Sequence, residues 1–141
     1  MILNRQKKIR LSPSALQMFL REIQRQLKLE DAQVTIAFVS DAKIARWNQY
    51  YRHKKGPTDV LSFPAVTNGA PSKKSERFLG DIAIAPETAR RYAKKNARTL
   101  QQELRVLMLH GVLHLMGYDH ESDNGQMNRI EHRLRRRLRL A

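Results

Sequence analysis

The sequence predicts an α+β fold, in which a small mixed β-sheet packs against helices within a single domain over residues 1–141. The chain has 141 residues, which is the length of one domain. Hydrophobic residues make up 41% of it and charged residues 28%, so it can bury a core. Strand patterns lie mainly in the first half and helical patterns in the second, which is typical of this class.

Four short segments have the patterns of β-strands. Residues 2–5 are predicted as a short first strand, and residues 34–38 alternate with β-branched and aromatic side chains. Residues 60–63 form a third strand that Pro64 stops, because proline has no N–H to donate to a neighbouring strand. Residues 79–85 alternate two sets of side chains and complete the predicted sheet.

Two helices are predicted among the strands of the first half. Ser12 and Pro13 suit the N-cap and first position of a helix. The apolar side chains that follow at helical spacing are Leu16, Phe19, Leu20, Ile23 and Leu27. Ser40 is predicted to cap a second helix that runs to about residue 50, with Ile44 and Trp47 facing inward.

Three helices are predicted in the second half, after a mobile loop over residues 65–77. Pro86 opens the first of them, and Thr99 opens the next with a capping-box pattern. That helix ends at Gly117, which suits a left-handed position after a helix. The last helix covers about residues 124–140, and its apolar side is formed by Met127, Ile130, Leu134 and Leu138, with arginines opposite.

The composition excludes several classes of protein. The longest uncharged apolar stretch, residues 106–118, is shorter than the roughly 18–20 residues that a membrane span needs. The N-terminal residues lack the apolar segment of a secretory signal. The chain has no cysteine, which excludes disulfides and thiolate chemistry, and a cytoplasmic location is expected.

The charge balance predicts a polyanionic partner. Lysine and arginine number 27 against 13 acidic residues, giving a net charge of +14. A field this positive attracts nucleic acid through counterion release, and an anionic membrane surface is the second candidate. The excess charge could also serve only to keep the protein soluble.

Three histidines near the end of the fourth predicted helix form a candidate metal site. On a helix, His110 and His114 lie about 40° apart in azimuth and about 6 Å apart along the axis, so both can reach one cation. His120 would lie about 15 Å from His110 on an unbroken helix. Gly117 can adopt positive φ and turn the chain back, which brings His120 within reach. The histidines could instead be core residues or chance neighbours.

Three protein ligands leave a fourth position open, as in catalytic zinc sites. Zinc proteases with this spacing carry glutamate directly after the first histidine, and Gly111 stands here instead, which disfavours a peptidase. The metal must then activate its own bound water, or a carboxylate from elsewhere must serve as the base. The candidate carboxylates are Asp59, Asp81, Asp119 and Glu121. Each could also be an ordinary turn or surface carboxylate, or orient a ligand histidine. His53 and His132 lack this context and are predicted to be ordinary surface residues.

The stretch from His110 to His120, HGVLHLMGYDH, is similar to the H-G-x-L-H-L-x-G-Y-D-H signature of the YbeY family. Two further segments agree, PTDVLSFP at residues 57–64 and LGDI at residues 79–82. The resemblance covers roughly residues 30–130, nearly the whole predicted domain, and its eleven-residue signature is highly specific.

The resemblance implies a metalloprotease-like (zincin-like) fold and one zinc ion per chain, held by His110, His114 and His120. It implies an endoribonuclease that cuts single-stranded RNA in rRNA 3′-end maturation and ribosome quality control. The implied partners are rRNA precursors and the small ribosomal subunit, with assembly-factor proteins as further candidates and no membrane. Arg52 best matches the family's functional arginine and, with His114, is expected to be catalytic. A guanidinium suits this role because it can bind two phosphate oxygens at once.

Further RNA contacts are expected from basic side chains outside the signature: Lys54, Lys55, Arg135, Arg136 and Arg137. The C-terminal arginines could equally form the solvated face of an amphipathic helix, and Arg52 could be a surface residue at a helix end. The segment after His120 has fewer acidic residues than the family usually carries, which weakens it as a source of the base.

Two other functions stay open at the level of sequence. One is a ribosome-assembly factor that binds RNA and whose metal is structural. The other is a metal-dependent hydrolase of small molecules or peptides.

Overall fold

The computed structural model describes residues 1–65, 77–118 and 125–140, and its four strands form one small mixed sheet. The strands are β1 (Ile2–Asn4), β2 (Gln33–Phe38), β3 (Val60–Pro64) and β4 (Phe78–Ile84). They lie in the order β1-β2-β4-β3, with β1, β2 and β4 parallel and β3 antiparallel to β4. The four predicted strands and the mixed sheet are confirmed.

Within the described residues, five helices accompany the sheet, as predicted. They are α1 (Pro13–Gln26), α2 (Asp41–Arg52), α3 (Pro86–Lys95), α4 (Leu100–Leu115) and α5 (Gln126–Arg137). The predicted caps are present at two of them. The hydroxyl of Ser40 accepts the backbone N–H of Lys43 at 3.2 Å, and Thr99 and Gln102 form the reciprocal capping box. Local polar side chains therefore fix where these helices begin.

The two faces of the sheet are covered by different helices. Buried residues of α1, α3, α4 and α5 pack with Ile82 and Ile84 of β4 in the main core. Ile44 of α2 packs on the other face with Leu61 and Ala83. Alternation along β4 sends successive side chains to opposite faces, so this central strand serves both cores. This smaller second core therefore holds α2 against β3 and β4.

Helix α4 approaches the sheet closely at Gly111. A Cβ at this position would lie 2.9 Å from the Cδ1 and Cγ2 atoms of Ile82, closer than real contacts. The absence of a side chain at Gly111 therefore sets the distance between α4 and β4 just beside His110.

One sequence prediction falls largely on residues that the structure does not describe. The loop predicted over residues 65–77 lies outside the described residues except at its ends. Within the described ranges, none of the helices combines the length and apolar character that crossing a membrane demands.

Candidate metal centre and substrate groove

Helix α4 brings His110 and His114 together near its C-terminal end. Their Nε2 atoms lie 2.9 Å apart, and their ring centroids are 4.5 Å apart with an interplanar angle of 74°. Two nitrogens on one tetrahedral zinc, each at about 2.0–2.1 Å, are separated by about 3.3 Å. The pair is therefore close to the spacing of two ligands of a shared cation, and without a cation one proton can bridge the two nitrogens.

The end of α4 turns the chain away from the helix axis at Gly117. Gly117 has a φ of +99°. Its N–H donates to the carbonyl of His114 at 3.0 Å, and the N–H of Tyr118 donates to the carbonyl of Leu113 at 3.1 Å. This is the Schellman pattern of a left-handed helix end. Gly117 therefore has the positive φ that is predicted from the sequence.

The third predicted ligand, His120, lies outside the described residues, as do the candidate bases Asp119 and Glu121. Across residues 1–65, 77–118 and 125–140, no group of three metal-binding side chains is assembled. The described part of the site is thus the histidine pair on α4.

Glu131 of α5 supports the histidine pair from the side opposite to Nε2. Its Oε1 atom lies 3.1 Å from Nδ1 of His110, and both residues are largely withdrawn from solvent. With the proton on Nδ1 donated to this carboxylate, Nε2 keeps its lone pair for a cation. Sequence reasoning missed Glu131. The signal was its place on the apolar side of α5, four residues after Met127 and three before Leu134.

A groove with a volume of about 780 Å³ opens beside the two imidazoles, and we call it the histidine groove. Its lining residues come from the end of α2, from the segment leading into β3, from β3 itself and from the end of α4. They are Tyr51, Arg52, Thr58, Asp59, Val60, Leu61, Ser62, Phe63, Pro64, His110, His114, Gly117 and Tyr118. The groove therefore combines imidazole, cationic, acidic and aromatic side chains.

Arg52 reaches this groove because α2 stops beside it. His53, the residue after the helix, has the left-handed φ of 56°. The buried Asn48 donates from Nδ2 to the carbonyl of Gly56 at 3.0 Å, which holds the following segment against the helix. Arg52 is exposed at the groove wall. Lys54 and Lys55 are exposed on that segment and are not among the residues that line the groove.

Asp59 is the described carboxylate that lines the histidine groove. Its backbone carbonyl accepts the N–H of Ala85 at 2.9 Å, and the hydroxyl of Thr58 lies 3.4 Å from its Oδ1. Asp81, by contrast, is exposed on β4 and does not line the groove. At Gly111, where proteases carry glutamate, a side chain would point at Ile82 of the sheet.

The C-terminal arginines occupy the last turn of α5. Arg136 and Arg137 are exposed, whereas the Nε of Arg135 is buried and has no hydrogen-bond partner among the described residues. None of the three lines the histidine groove. His53 and His132 are both exposed, so their predicted surface positions are confirmed.

Fold and site together define an α+β protein with a histidine pair and an arginine in one open groove. The family model of Endoribonuclease YbeY matches residues 1–139. The chain therefore belongs to the Endoribonuclease YbeY family, which confirms the resemblance read from the histidine signature and the predicted enzyme class.

Curated relatives and a solved structure agree with this membership. The chain is 39% identical to Endoribonuclease YbeY of Koribacter versatilis, over 99% of this chain and 86% of the relative. It is 38% identical to Endoribonuclease YbeY of Pelotomaculum thermopropionicum, over 100% of this chain and 97% of the relative. The solution structure of TM1509 from Thermotoga maritima is similar at a TM-score of 0.66 and 28% identity, covering 98% of this chain and 89% of that one. The predicted fold class is thereby confirmed across nearly the full length.

Proposed function

We propose that this protein is a zinc-dependent endoribonuclease that cuts single-stranded RNA in rRNA 3′-end maturation and ribosome quality control. Its proposed partners are rRNA precursors and the small ribosomal subunit, in the cytoplasm. The observation that carries the proposal is the meeting of His110, His114 and Arg52 in one open groove. Family membership and the net charge of +14 support it.

The residues present fit a zinc ion. Two imidazole nitrogens face each other at 2.9 Å, and Glu131 orients one of the rings from its other nitrogen. Imidazole is a preferred zinc donor, and a carboxylate behind a ligand histidine is the usual second partner. We assign His110, His114 and His120 as the ligands. Zinc bound there would supply Lewis acidity at neutral pH without a change of oxidation state.

Arg52 provides the phosphate contact of the proposed reaction. Its exposed guanidinium stands in the groove wall, where it can bind two non-bridging oxygens of the scissile phosphate. Those oxygens gain negative charge as the phosphodiester is attacked, so a fixed cation stabilises the transition state more than the ground state.

Asp59 is our candidate for the base that removes the proton from the attacking hydroxyl or water. It is the described carboxylate that lines the groove with His114 and Arg52. A carboxylate in hydrogen-bond reach of the nucleophile can accept its proton during attack. Gly111 occupies the position at which zinc proteases carry their glutamate base, and it faces Ile82 of the sheet. A base from another element of the fold is therefore favoured.

The direct test compares purified wild-type protein with His114→Ala on labelled single-stranded RNA. We expect loss of cleavage in His114→Ala and retention in the matched control His132→Ala, which alters an exposed histidine outside the groove. Metal analysis of the same wild-type preparation is expected to give one zinc per chain. Equal cleavage by wild type, His114→Ala and His132→Ala would show that the histidine groove is not the site of cleavage.

A second candidate is a ribosome-assembly factor whose metal is structural. The contact between His110 and Glu131 favours it, because this contact joins α4 to α5 and a metal on Nε2 of His110 would hold the same imidazole in place. If this second function is correct, variants of the proposed metal ligands lose thermal stability, and wild-type protein loaded with zinc cuts no RNA. The nuclease is favoured if the wild type cuts RNA while His114→Ala keeps the wild-type melting temperature and does not cut.

A further inference from the structure

A second groove, with a volume of about 400 Å³, lies where β1 and β2 end and α2 begins. We call it the basic groove, and its lining residues are Arg5, Ala37, Val39, Ser40, Lys43, Arg46 and Trp47. The carboxyl ends of parallel strands share one edge of a sheet, which is why residues from two strands and a helix meet here. None of these residues belongs to the histidine groove.

The basic groove presents positive charge without local compensation. Arg5, Lys43 and Arg46 are all exposed. In the parts of the chain that the structure describes, no carboxylate lies within ion-pair distance of any of them. Asp41 begins the same helix, but its carboxylate is bound by Arg91 at 2.9 Å and by the hydroxyl of Thr88 at 2.7 Å. The three cations are therefore available to an anionic ligand.

A row of aromatic rings joins the two grooves. Trp47, in the wall of the basic groove, meets the edge of Phe63 at 6.2 Å between centroids. Phe63 meets Tyr51 at 5.1 Å, and both of these line the histidine groove. Tyr51 meets Tyr50 at 4.8 Å. Tyr50 is 74% and Tyr51 57% exposed, so their rings are open to solvent, whereas Trp47 and Phe63 are half-buried and also pack against the core beneath α2.

We propose that the basic groove is a second nucleotide-binding subsite, which holds single-stranded RNA whose cleaved phosphate lies in the histidine groove. The inference rests on the proposed function for its substrate class. Proteins that bind single strands combine cations along the phosphate backbone with aromatic faces on which unpaired bases stack. Here the cations line one groove, and the rings lead from it to the other. Duplex RNA fits this arrangement poorly, because its bases already stack on each other.

Charge removal tests the cations of the subsite. The variant is Lys43→Gln/Arg46→Gln, and the matched control Arg21→Gln/Arg90→Gln removes two exposed arginines outside both grooves. Binding is measured by fluorescence anisotropy over a salt series, with hydrolysis-resistant 2′-O-methyl single strands of about 4 and about 16 nucleotides. For the long strand we expect about tenfold weaker binding and a salt slope smaller by about 1.4, since each phosphate contact on a single strand contributes about 0.7. The short strand and the control protein should change little.

Substitution of Trp47 tests the stacking part of the subsite. Trp47→Leu is expected to weaken binding of the long single strand about tenfold, and Trp47→Phe should retain most of it, because a phenyl ring still stacks. Neither change should alter binding to duplex RNA of the same length. Melting curves of both variants check that the fold is retained, because Trp47 also packs against the core beneath α2. The double glutamine variant keeps the ring in place, although it removes Lys43, whose Nζ lies 5.4 Å from the centroid of the Trp47 ring.

The outcomes separate this subsite from the nuclease proposal. If wild-type protein binds the long strand through Lys43 and Arg46 but cuts no RNA, the nuclease proposal fails and the basic groove stands as a binding site for single-stranded RNA. If the protein cuts RNA and the glutamine variant matches wild type in KM on long substrates, the subsite fails and the nuclease stands. Equal losses for short and long strands, or for variant and control, would also overturn it. Unchanged RNA binding together with loss of a protein partner would assign the groove to protein contact instead.

Discussion

Oε1 of Glu131 lies 3.1 Å from Nδ1 of His110, so a carboxylate from α5 fixes an imidazole on α4. The consequence is directional: Nε2 of His110 is turned toward His114 and the groove. A helix that the sequence presents mainly as a basic surface therefore also supports the candidate metal centre through its buried side.

Removal of the Glu131 charge should weaken metal binding without removing a ligand. We expect Glu131→Gln to lower zinc affinity about 10- to 100-fold, because an amide orients the imidazole less well and does not raise its basicity. Competition with a chromophoric chelator measures the affinity. Glu22→Gln, which alters an exposed carboxylate on α1 paired with Arg25, serves as control and should leave zinc affinity unchanged. Identical affinities for both variants would argue against the supporting role of Glu131.

Gly117 should be required for metal binding as well as for stability. Its φ is +99°, and an added Cβ would meet nothing within 4 Å, so Gly117→Ala acts through backbone strain alone. That strain is about 1–2 kcal/mol, corresponding to a lower Tm by several degrees. Gly56→Ala carries similar strain at φ +86°, also in open space, on a segment that holds none of the three candidate ligands. We expect both variants to melt earlier and only Gly117→Ala to lose zinc affinity. Loss of affinity in both would show a general effect of destabilisation.

Arg52 should not be replaceable by lysine. Arg52→Lys keeps the charge but loses the fork that binds two phosphate oxygens, so we expect kcat for RNA cleavage to fall at least about tenfold. Arg52→Gln should fall further, by about 10²-fold or more. Lys54→Gln is the matched comparison, because this exposed cation is close in sequence but does not line the groove. It should change KM modestly and leave kcat intact. A lysine variant as fast as wild type would reduce Arg52 to a general electrostatic contact.

Comparison of Asp59 with Asp81 tests whether the carboxylate in the groove is the base. Asp59→Asn should reduce kcat about 10²- to 10⁴-fold, the usual contribution of a positioned base, with zinc content unchanged. Asp81→Asn, which alters an exposed residue of β4 outside the groove, should cut RNA at the wild-type rate. The measurement is single-turnover cleavage of a labelled single strand. Full activity of Asp59→Asn would move the base to another residue.

Much of the fold could be predicted because its signals are local. Ser40 and Thr99 begin helices through hydrogen bonds that span only three residues, and Gly117 ends one through its own φ. The sheet order β1-β2-β4-β3 is different, since it depends on pairing between segments distant in the chain. Nothing local to residues 60–63 indicates that their strand runs antiparallel to β4.

The candidate site likewise has features that local sequence predicts and features that depend on tertiary packing. The spacing of His110 and His114 on one helix was sufficient to predict that they share a face, because helical geometry alone determines it. The contact with Glu131 crosses 21 residues of sequence and depends on how α5 packs on α4. Likewise, only the structure separates Asp59, inside the groove, from Asp81, outside it. The third ligand, His120, stays a prediction.

The close approach of α4 to the sheet has a consequence for how this site can change. At Gly111 even a methyl group would collide with Ile82, so a glutamate in the protease position would first have to push a helix off its strand. A side chain at Gly111 would therefore require Ile82 or the helix to shift, and a substitution at this position alone should destabilise the protein.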